Sequence, residues 1–337
     1  MRTRSPALRQ LDAVTLEKLI SAAIAAPSIH NTQPWRYRLD PVTVTIEVRA
    51  APERSLRHID PTGRALHLSV GTAVFNLRVA VAHLGWEPVL RLLPDPADPG
   101  LLASVRLAGP PRNGAAHRTD LYEAIWRRHT SRQPFSSRPV PEAVRAELSD
   151  AAHREGAGLW FPDGREARRL LQLTAEAERR TTGDPARRDE SRRWLHRPEA
   201  GPVGIPAAAL GPQDATGHLP VRDFGAARRP GLLPAQPFEE NPVIAVLSTA
   251  HDRRADWLRA GQALQHVLLV ATAERLSSSL LHQALEWPDL RWPLRDSSGG
   301  PSHVQMLLRL GYGPQSAASP RIPAREVLRQ NGSGSGV

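Results

Sequence analysis

Two stretches of this 337-residue chain are apolar on too many sides to lie anywhere but in a core. Gly71 to Trp86 (GTAVFNLRVAVAHLGW) and Gly261 to Leu276 (GQALQHVLLVATAERL) align without gaps. They share the leading glycine, an alanine at the third position and apolar residues at matched points of a helix. A helix that is apolar on most faces has to find partners on most faces. The order of elements around each stretch repeats too, so the sequence reads as a duplication of one unit.

Around the first stretch, Asp12 to Ala26 predicts an amphipathic helix, with Leu16, Leu19, Ile20, Ala23 and Ile24 at three- and four-residue steps and Asp12 as N-cap. Trp35 to Leu39 and Val42 to Val48 alternate as paired strands. Asp60-Pro61 is expected to open the first buried helix, with proline at its first position. Strands follow near Glu87 to Leu93 and Leu102 to Leu107, then a linker by composition over Ala108 to His117. The second half predicts helices at Leu121 to Arg128, Pro141 to His153, Arg165 to Arg180 and on to Leu195, a strand at Val243 to Ser248, and the second buried helix at Trp257 to Leu276. Between them, Pro198 to Pro237 is rich in proline and glycine without periodicity, and excursions of that length are lids, binding loops or disorder.

Composition removes several chemistries. There is no cysteine, hence no disulfide, thiolate nucleophile or cysteine-ligated metal. Lys18 is the single lysine, and no glycine pattern precedes it, so a Walker phosphate loop is excluded. No G-x-G-x-x-G, H-E-x-x-H or G-x-S-x-G is present, and the 13 histidines form no metal-ligand pair. The net charge of +10 is carried by arginine, but its densest run, Arg165 to Arg197, is interleaved with Glu166, Glu176, Glu178, Asp184, Asp189 and Glu190. That is the pattern of a solvated, ion-paired helix face, so nucleic acid is not the expected partner. No apolar run reaches the ~20 residues of a membrane span, and MRTRSPALRQLD lacks the apolar core of a secretion signal, so no membrane is expected and the cytoplasm is the expected address. An enzyme with this inventory needs a borrowed cofactor.

Two segments suit an anionic one. In Ala26-Pro27-Ser28-Ile29-His30-Asn31-Thr32-Gln33-Pro34-Trp35, two prolines bracket small hydrogen-bonding side chains at a sharp corner between helix and strand. In Arg127-Arg128-His129-Thr130-Ser131-Arg132, arginines flank a hydroxyl where a helix breaks, chemistry suited to phosphate or to an electron-rich ring edge.

At these residues the sequence resembles the FMN-dependent nitroreductase superfamily, and most closely its Acg-type branch. The corner matches A-P-S-x-x-N-x-Q-P-W at Ala26 to Trp35, and R-[RH]-[ST]-x-[RK] is matched at Arg128 to Arg132. Asp60-Pro61-x-x-Arg64, the Gly71-x-Ala73-x-x-Asn76-Leu77 helix, Leu310-Gly311-Tyr312-Gly313, Arg321 and Arg325-Glu326-Val327 extend the similarity over residues 12 to 328. The resemblance implies an α+β, three-layer fold with helices around mixed, largely antiparallel sheets, duplicated within one chain. It implies a first half at 1–118, a second at 119–330 carrying a lid-like insertion at 198–237, and a flexible tail at 331–337. Because the corner occurs once and the arginine segment once, the chain is expected to be an intramolecular pseudo-dimer, monomeric in the simplest case, with one composite FMN site.

Pro27, Ser28, His30 and Asn31 would then meet the flavin from the first half, and Arg128, Thr130, Arg132 and Arg321 from the second. Gln33, Pro34 and Trp35 are expected to be structural. Hydride from NAD(P)H would pass through flavin N5 to a small unsaturated or nitroaromatic acceptor, with no protein nucleophile. Competing readings are a flavoprotein that sequesters FMN with little turnover, and a dehydrogenase dedicated to one biosynthetic intermediate. Arg275 departs from the pattern, standing where the family prefers glycine and where Gly85 stands in the first half. Its side chain either narrows the approach to the flavin or points outward.

Overall fold

The computed structural model describes residues 11–109, 119–195, 201–224, 234–294, 302–314 and 316–329. Residues 110–117 of the expected linker and the 331–337 tail lie outside them. The chain begins α1 (Ala13–Ile24), β1 (Trp35–Asp40), β2 (Thr45–Ala50), α2 (Arg64–His83), β3 (Glu87–Leu92) and β4 (Leu101–Ala108). After α3 (Thr119–Arg127), the same series returns as α4 (Glu142–Arg154) and β5 (Gly158–Trp160). An insertion then carries α5 (Gly164–Gly183), α6 (Pro185–Arg193), β6 (Gln213–Asp214) and β7 (Ala235–Gln236). The series resumes with β8 (Val243–Thr249), α7 (Arg254–Ala273), β9 (Ser277–Leu281), the short α8 (Pro288–Arg291) and β10 (His303–Gly311), and the described chain ends on α9 (Ala324–Val327) and β11 (Leu328–Arg329).

The two sheets repeat each other. One runs β11-β1-β2-β4-β3 and the other β5-β8-β10-β9, so β1-β2-β4-β3 and β5-β8-β10-β9 are the same antiparallel order built twice. The exception is β11, which leaves the second half and adds to β1 in parallel, Tyr37 opposite Leu328. α2 packs on β2, β3 and β4, α7 on β8, β9 and β10, and the two helices pack on each other. One hydrophobic core therefore runs from the first sheet through both helices to the second.

The echo in the sequence is the crossing of these helices. A Cβ on Gly71 would stand 2.3 Å from the Leu258 carbonyl oxygen and 2.8 Å from Gly261 Cα, and one on Gly261 would stand 2.1 Å from the Leu68 carbonyl and 2.8 Å from Gly71 Cα. Contacts on either side come in symmetry-related pairs. Gln265 Nε2 donates to Asn76 Oδ1 at 2.7 Å, and the mate of that pair is Phe75 stacked on His266 with centroids 4.7 Å apart. This is the self-complementary geometry of a two-fold interface, here inside one chain.

Both helices end alike as well. Trp86 N–H donates to Val81 O and Leu276 N–H to Ala271 O, closing a turn that needs a left-handed residue before it. Gly85 supplies that residue at φ 92° and Arg275 at φ 60°. Arg275 is exposed, so its side chain points outward.

Several expectations need correction. α2 starts at Arg64 rather than at Pro61: Gly63, at φ 72°, precedes it, and Asp60 turns back to accept from Leu66 N–H at 2.8 Å. α2 also meets the length and composition of a membrane span, unlike the expectation that no run does, but its side chains are taken up by the core. The strands β5, β9, β10 and β11 are absent from the sequence reading. Residues 161–242 separate β5 from β8, and α5 among them bears out the ion-paired face: Glu166 holds Arg169, and Glu176 holds Arg179 and Arg180.

Candidate active site

The corner between α1 and β1 is held in an uncommon backbone shape. His30, Asn31 and Gln33 all have positive φ (47°, 53° and 51°), conformations that cost non-glycine residues energy and persist where the surroundings fix them. The surroundings do so through side chains. Ser28 Oγ accepts from Gln33 N–H at 2.9 Å, and Ser69 Oγ on α2 accepts from Ile29 N–H at 3.1 Å. Gln33 Nε2 donates to Pro202 O at 2.7 Å, while its Oε1 accepts from Ile322 N–H at 2.9 Å. Gln33 and Trp35 are fully buried, as structural residues should be.

The arginine segment follows α3 and is pinned to the second sheet. Ser131 N–H donates to Ser278 O on β9 at 2.8 Å, and Ser136 N–H to Tyr312 O at 2.7 Å. Gly311 and Gly313 lie against the Phe135 ring, where added Cβ atoms would come within 2.9 and 2.6 Å. The Leu310-Gly311-Tyr312-Gly313 motif thus makes room for the residue that docks this segment.

Corner and arginine segment open on one shared cavity. Pro27, Ser28, His30 and Asn31 from the first half line it together with Arg128, Thr130, Arg132 and Arg321. All eight sequence-chosen residues are on its wall. α2 adds Leu68, Ser69 and Thr72, α7 adds Leu264, and the strands of the second half add Ser279 and Met306. Ile205, Val221, Arg222 and Phe224 reach it from the insertion, whose Gly211 presses on the Arg132 backbone. The repeat offers no second corner: α4 and β5 are joined by residues 155–157 alone, where 25–34 separate α1 from β1.

The charges of this cavity are unusual. Arg128 is buried and Arg132 and Arg321 are partly buried, and no carboxylate pairs with any of them among the described residues. Arg128 has Thr130 Oγ1 at 3.5 Å and leaves Nε without a partner. Arg132 donates to Ala209 O at 2.7 Å and lies over the Phe224 ring. Arg321 donates to Asn31 Oδ1 at 2.9 Å and to nearby carbonyls, and its Nε is also orphaned. Burial pushes Arg128 down to about 9, helped by Arg321, and Arg132 and Arg321 to about 10; all three stay cationic at neutral pH.

Asn31 differs from its expected use. Its oxygen accepts from Arg321 and its nitrogen donates to Gly204 O at 2.9 Å and Pro320 O at 3.0 Å, so its amide holds Arg321 and the insertion in place. Ser28 Oγ, by contrast, accepts one bond and keeps its proton to give.

Sequence reasoning missed Arg222, His282 and Glu286 on the same wall. Burial pushes Glu286 up against the pull of Arg222 at 2.5 Å, and burial with neighbouring arginines holds His30 and His282 well below the usual histidine range. No local spacing announces these residues: Arg222 lies in an aperiodic stretch, and the pair His282/Glu286 is one helical turn in a segment without helical pattern.

A protein of Mycobacterium tuberculosis strain H37Rv named "Putative NAD(P)H nitroreductase Rv3131" is 35% identical over 323 residues, covering 94% of this chain and 90% of its own length. The chain belongs to the nitroreductase superfamily, in its Acg-like branch. It is by family an oxidoreductase. A second relative of the same strain, "Putative NAD(P)H nitroreductase acg", is 28% identical over 318 residues, with 93% and 95% of the two chains covered. No family model matches the chain. Among solved structures, a nitroreductase with bound FMN from Desulfitobacterium hafniense aligns with a TM-score of 0.39 at 12% identity, over 63% of this chain and 98% of that one, a likeness too low to bear on function.

Proposed function

We propose that this member of the nitroreductase superfamily binds one FMN per chain and uses NAD(P)H to reduce a small unsaturated or nitroaromatic acceptor. The observation that carries the reading is the convergence on one cavity of three guanidinium groups without carboxylate partners, one buried and two partly buried. Withdrawing an unpaired cation from water is costly, and a site that gathers three such groups is built for an anion. FMN fits that donor set. Arg128 and Arg321, with the orphaned Nε atoms, would hold its phosphate beside the Thr130 hydroxyl, and Arg132 would lie at the electron-rich edge of the ring. A fixed positive charge at that edge favours the anionic reduced ring and so raises its potential. The Ser28 hydroxyl can donate to a ring or ribityl oxygen, and Asn31 sets the position of Arg321. Leu68, Leu264 and Phe224, which line the cavity, would keep water from the bound ring. When bound, FMN supplies the two-electron chemistry that these side chains lack.

The halves 1–118 and 119–330 then act as the two subunits of a pseudo-dimer, each giving what the other lacks. The insertion residues in the cavity lining support a second reading, in which FMN is sequestered and turns over little.

The test is the visible spectrum of the purified protein, with released flavin counted per chain. A flavin spectrum with about one FMN per chain supports the site, and two per chain would contradict the composite arrangement. A folded, colourless protein that takes up no added FMN refutes the proposal. Anaerobic bleaching by NAD(P)H separates reductase from store, since a closed store stays oxidised.

A further inference from the structure

A buried hydrogen-bond chain runs along the cavity wall and is not used by the phosphate and ring-edge contacts above. Arg64 donates through Nη1 to Gln305 O at 2.9 Å and through Nη2 to His282 Nε2 at 2.6 Å. His282 Nδ1 lies 3.0 Å from Glu286 Oε1, which also accepts from Arg222 Nη2 at 2.5 Å. Arg222 Nη1 in turn lies 3.2 Å from His30 Nε2. A guanidinium can only donate, so both imidazoles accept at Nε2 and carry their proton on Nδ1. His282 gives that proton to Glu286. His30 has nobody to give it to.

Two polar atoms of this chain are left over, His30 Nδ1–H at its end and Glu286 Oε2 within it, both buried and without a partner among the described residues. Their residues are 6% and 7% exposed, both line the cavity, and both are held by the fork of one guanidinium, Arg222. One is a donor and the other an acceptor. Buried polar groups left unmatched cost free energy, and a matched ligand recovers it.

We propose that His30 and Glu286 form a subsite for a planar amide edge, a carbonyl oxygen beside an N–H. His30 Nδ1–H donates to the oxygen and Glu286 Oε2 accepts from the N–H. Two molecules of the proposed reaction carry such an edge: the pyrimidine ring of the flavin, and the carboxamide of nicotinamide. The flavin is the favoured source. Arg132, which the proposed function sets at the ring edge, belongs to the same cluster, since its charge acts on His30 and Arg222 acts on it. This inference rests on FMN binding in the cavity.

The test titrates the full-length apoprotein with FMN and with N3-methyl-FMN, following quenching of flavin fluorescence. The wild type is expected to prefer FMN by about tenfold or more, and Glu286→Gln, which puts a donor where the acceptor stood, to bring the two affinities within a few-fold of each other. In a second arm, FMN-loaded protein is titrated with reduced nicotinamide dinucleotide and with its 3-acetylpyridine analogue, which lacks the amide N–H. A preference confined to this pair and abolished by Glu286→Gln supports the amide subsite and assigns it to nicotinamide. No preference in either pair, or a preference unchanged in Glu286→Gln, overturns the subsite while leaving FMN binding intact. Should Glu286→Gln not fold, His30→Phe takes its place, read as loss of discrimination between FMN and 4-thio-FMN, whose sulfur is the poorer acceptor; unchanged discrimination there also overturns it. Failure of the wild type to bind FMN refutes the proposed function itself.

Discussion

Replacing Gly71 by alanine tests whether the helix crossing is as tight as its geometry states. Judged as a helix position alone, the change should help: alanine is favoured over glycine by about 0.8–1.0 kcal/mol in a helix interior. The crossing reverses the sign. The new methyl carbon would lie 2.3 Å from the Leu258 carbonyl oxygen and 2.8 Å from Gly261 Cα, both backbone atoms that no rotamer change can move. Reaching ordinary contact requires α2 and α7 to part by about 1 Å, in a core packed at crystal-like density. Overpacking of this kind costs typically 1–3 kcal/mol and occasionally more; two backbone contacts under 3 Å put this site at the upper end, so a net loss of about 2 kcal/mol remains after the propensity gain.

The assay is urea denaturation of the apoprotein, with Gly183→Ala as control. Gly183 is the exposed last residue of α5, and a Cβ there meets nothing within 4 Å. The control should be neutral or slightly stabilising. Gly261→Ala should behave like Gly71→Ala. The double variant should lose less than the sum, because both methyl groups enter one gap that the first has already opened. A Gly71→Ala protein as stable as the wild type, or more so, would refute the close approach and with it the two-fold relation between the helices.

Arg128→Ala should move stability and affinity in opposite directions. Removing a buried cation without a carboxylate raises the midpoint of apoprotein unfolding, while losing a charge-assisted bond of about 1.5–3 kcal/mol weakens FMN binding roughly 10- to 150-fold in a flavin titration. Unchanged affinity in both Arg128→Ala and Arg132→Ala would remove the anion site. Asp60 gives a pH dependence. Burial raises its carboxyl to about 6, so the stability tied to its protonation is complete below the unfolded value near 4 and is lost as pH rises through 6. Measured by denaturation, the stability of wild type relative to Asp60→Asn should fall by about 2–3 kcal/mol between pH 4 and pH 7. A flat difference would show that its bonds from Leu66 and the charge of Arg64 outweigh burial.

The parts of this molecule that were legible in the sequence are those governed by near neighbours. Periodicity found α1, α2, α5 and α7 within a few residues, and the matched glycines of the two buried helices mark a contact whose physical cause is plain once they meet. The corner was legible because its prolines and hydrogen-bonding side chains are contiguous. What escaped is governed by distant partners. β10 is fully two-sided, with eight of its nine residues buried, so it lacks the alternation that marks a half-exposed strand. β5 is three residues long and exists because β8 pairs with it. The start of α2 is hard to read because Asp60-Pro61 looks like a cap and first turn, while Gly63 in a left-handed conformation delays the helix to Arg64, three residues after Pro61. For Asn31, nothing near it in sequence reveals Pro320 and Gly204, the carbonyls that accept from its amide nitrogen.

The doubling of the β-β-α-β-β unit has a consequence beyond architecture. In a homodimer, a substitution appears on both sides of the axis at once, so a change that improves one cleft while harming the scaffold opposite is paid for twice. A covalent tandem escapes that rule. Here one copy has ten residues between α1 and β1 where the other has three between α4 and β5, and the second carries 82 residues between β5 and β8. The shared spine of α2 and α7 still obeys the old symmetry, atom against atom, while the surfaces on either side of it have been released to specialise separately.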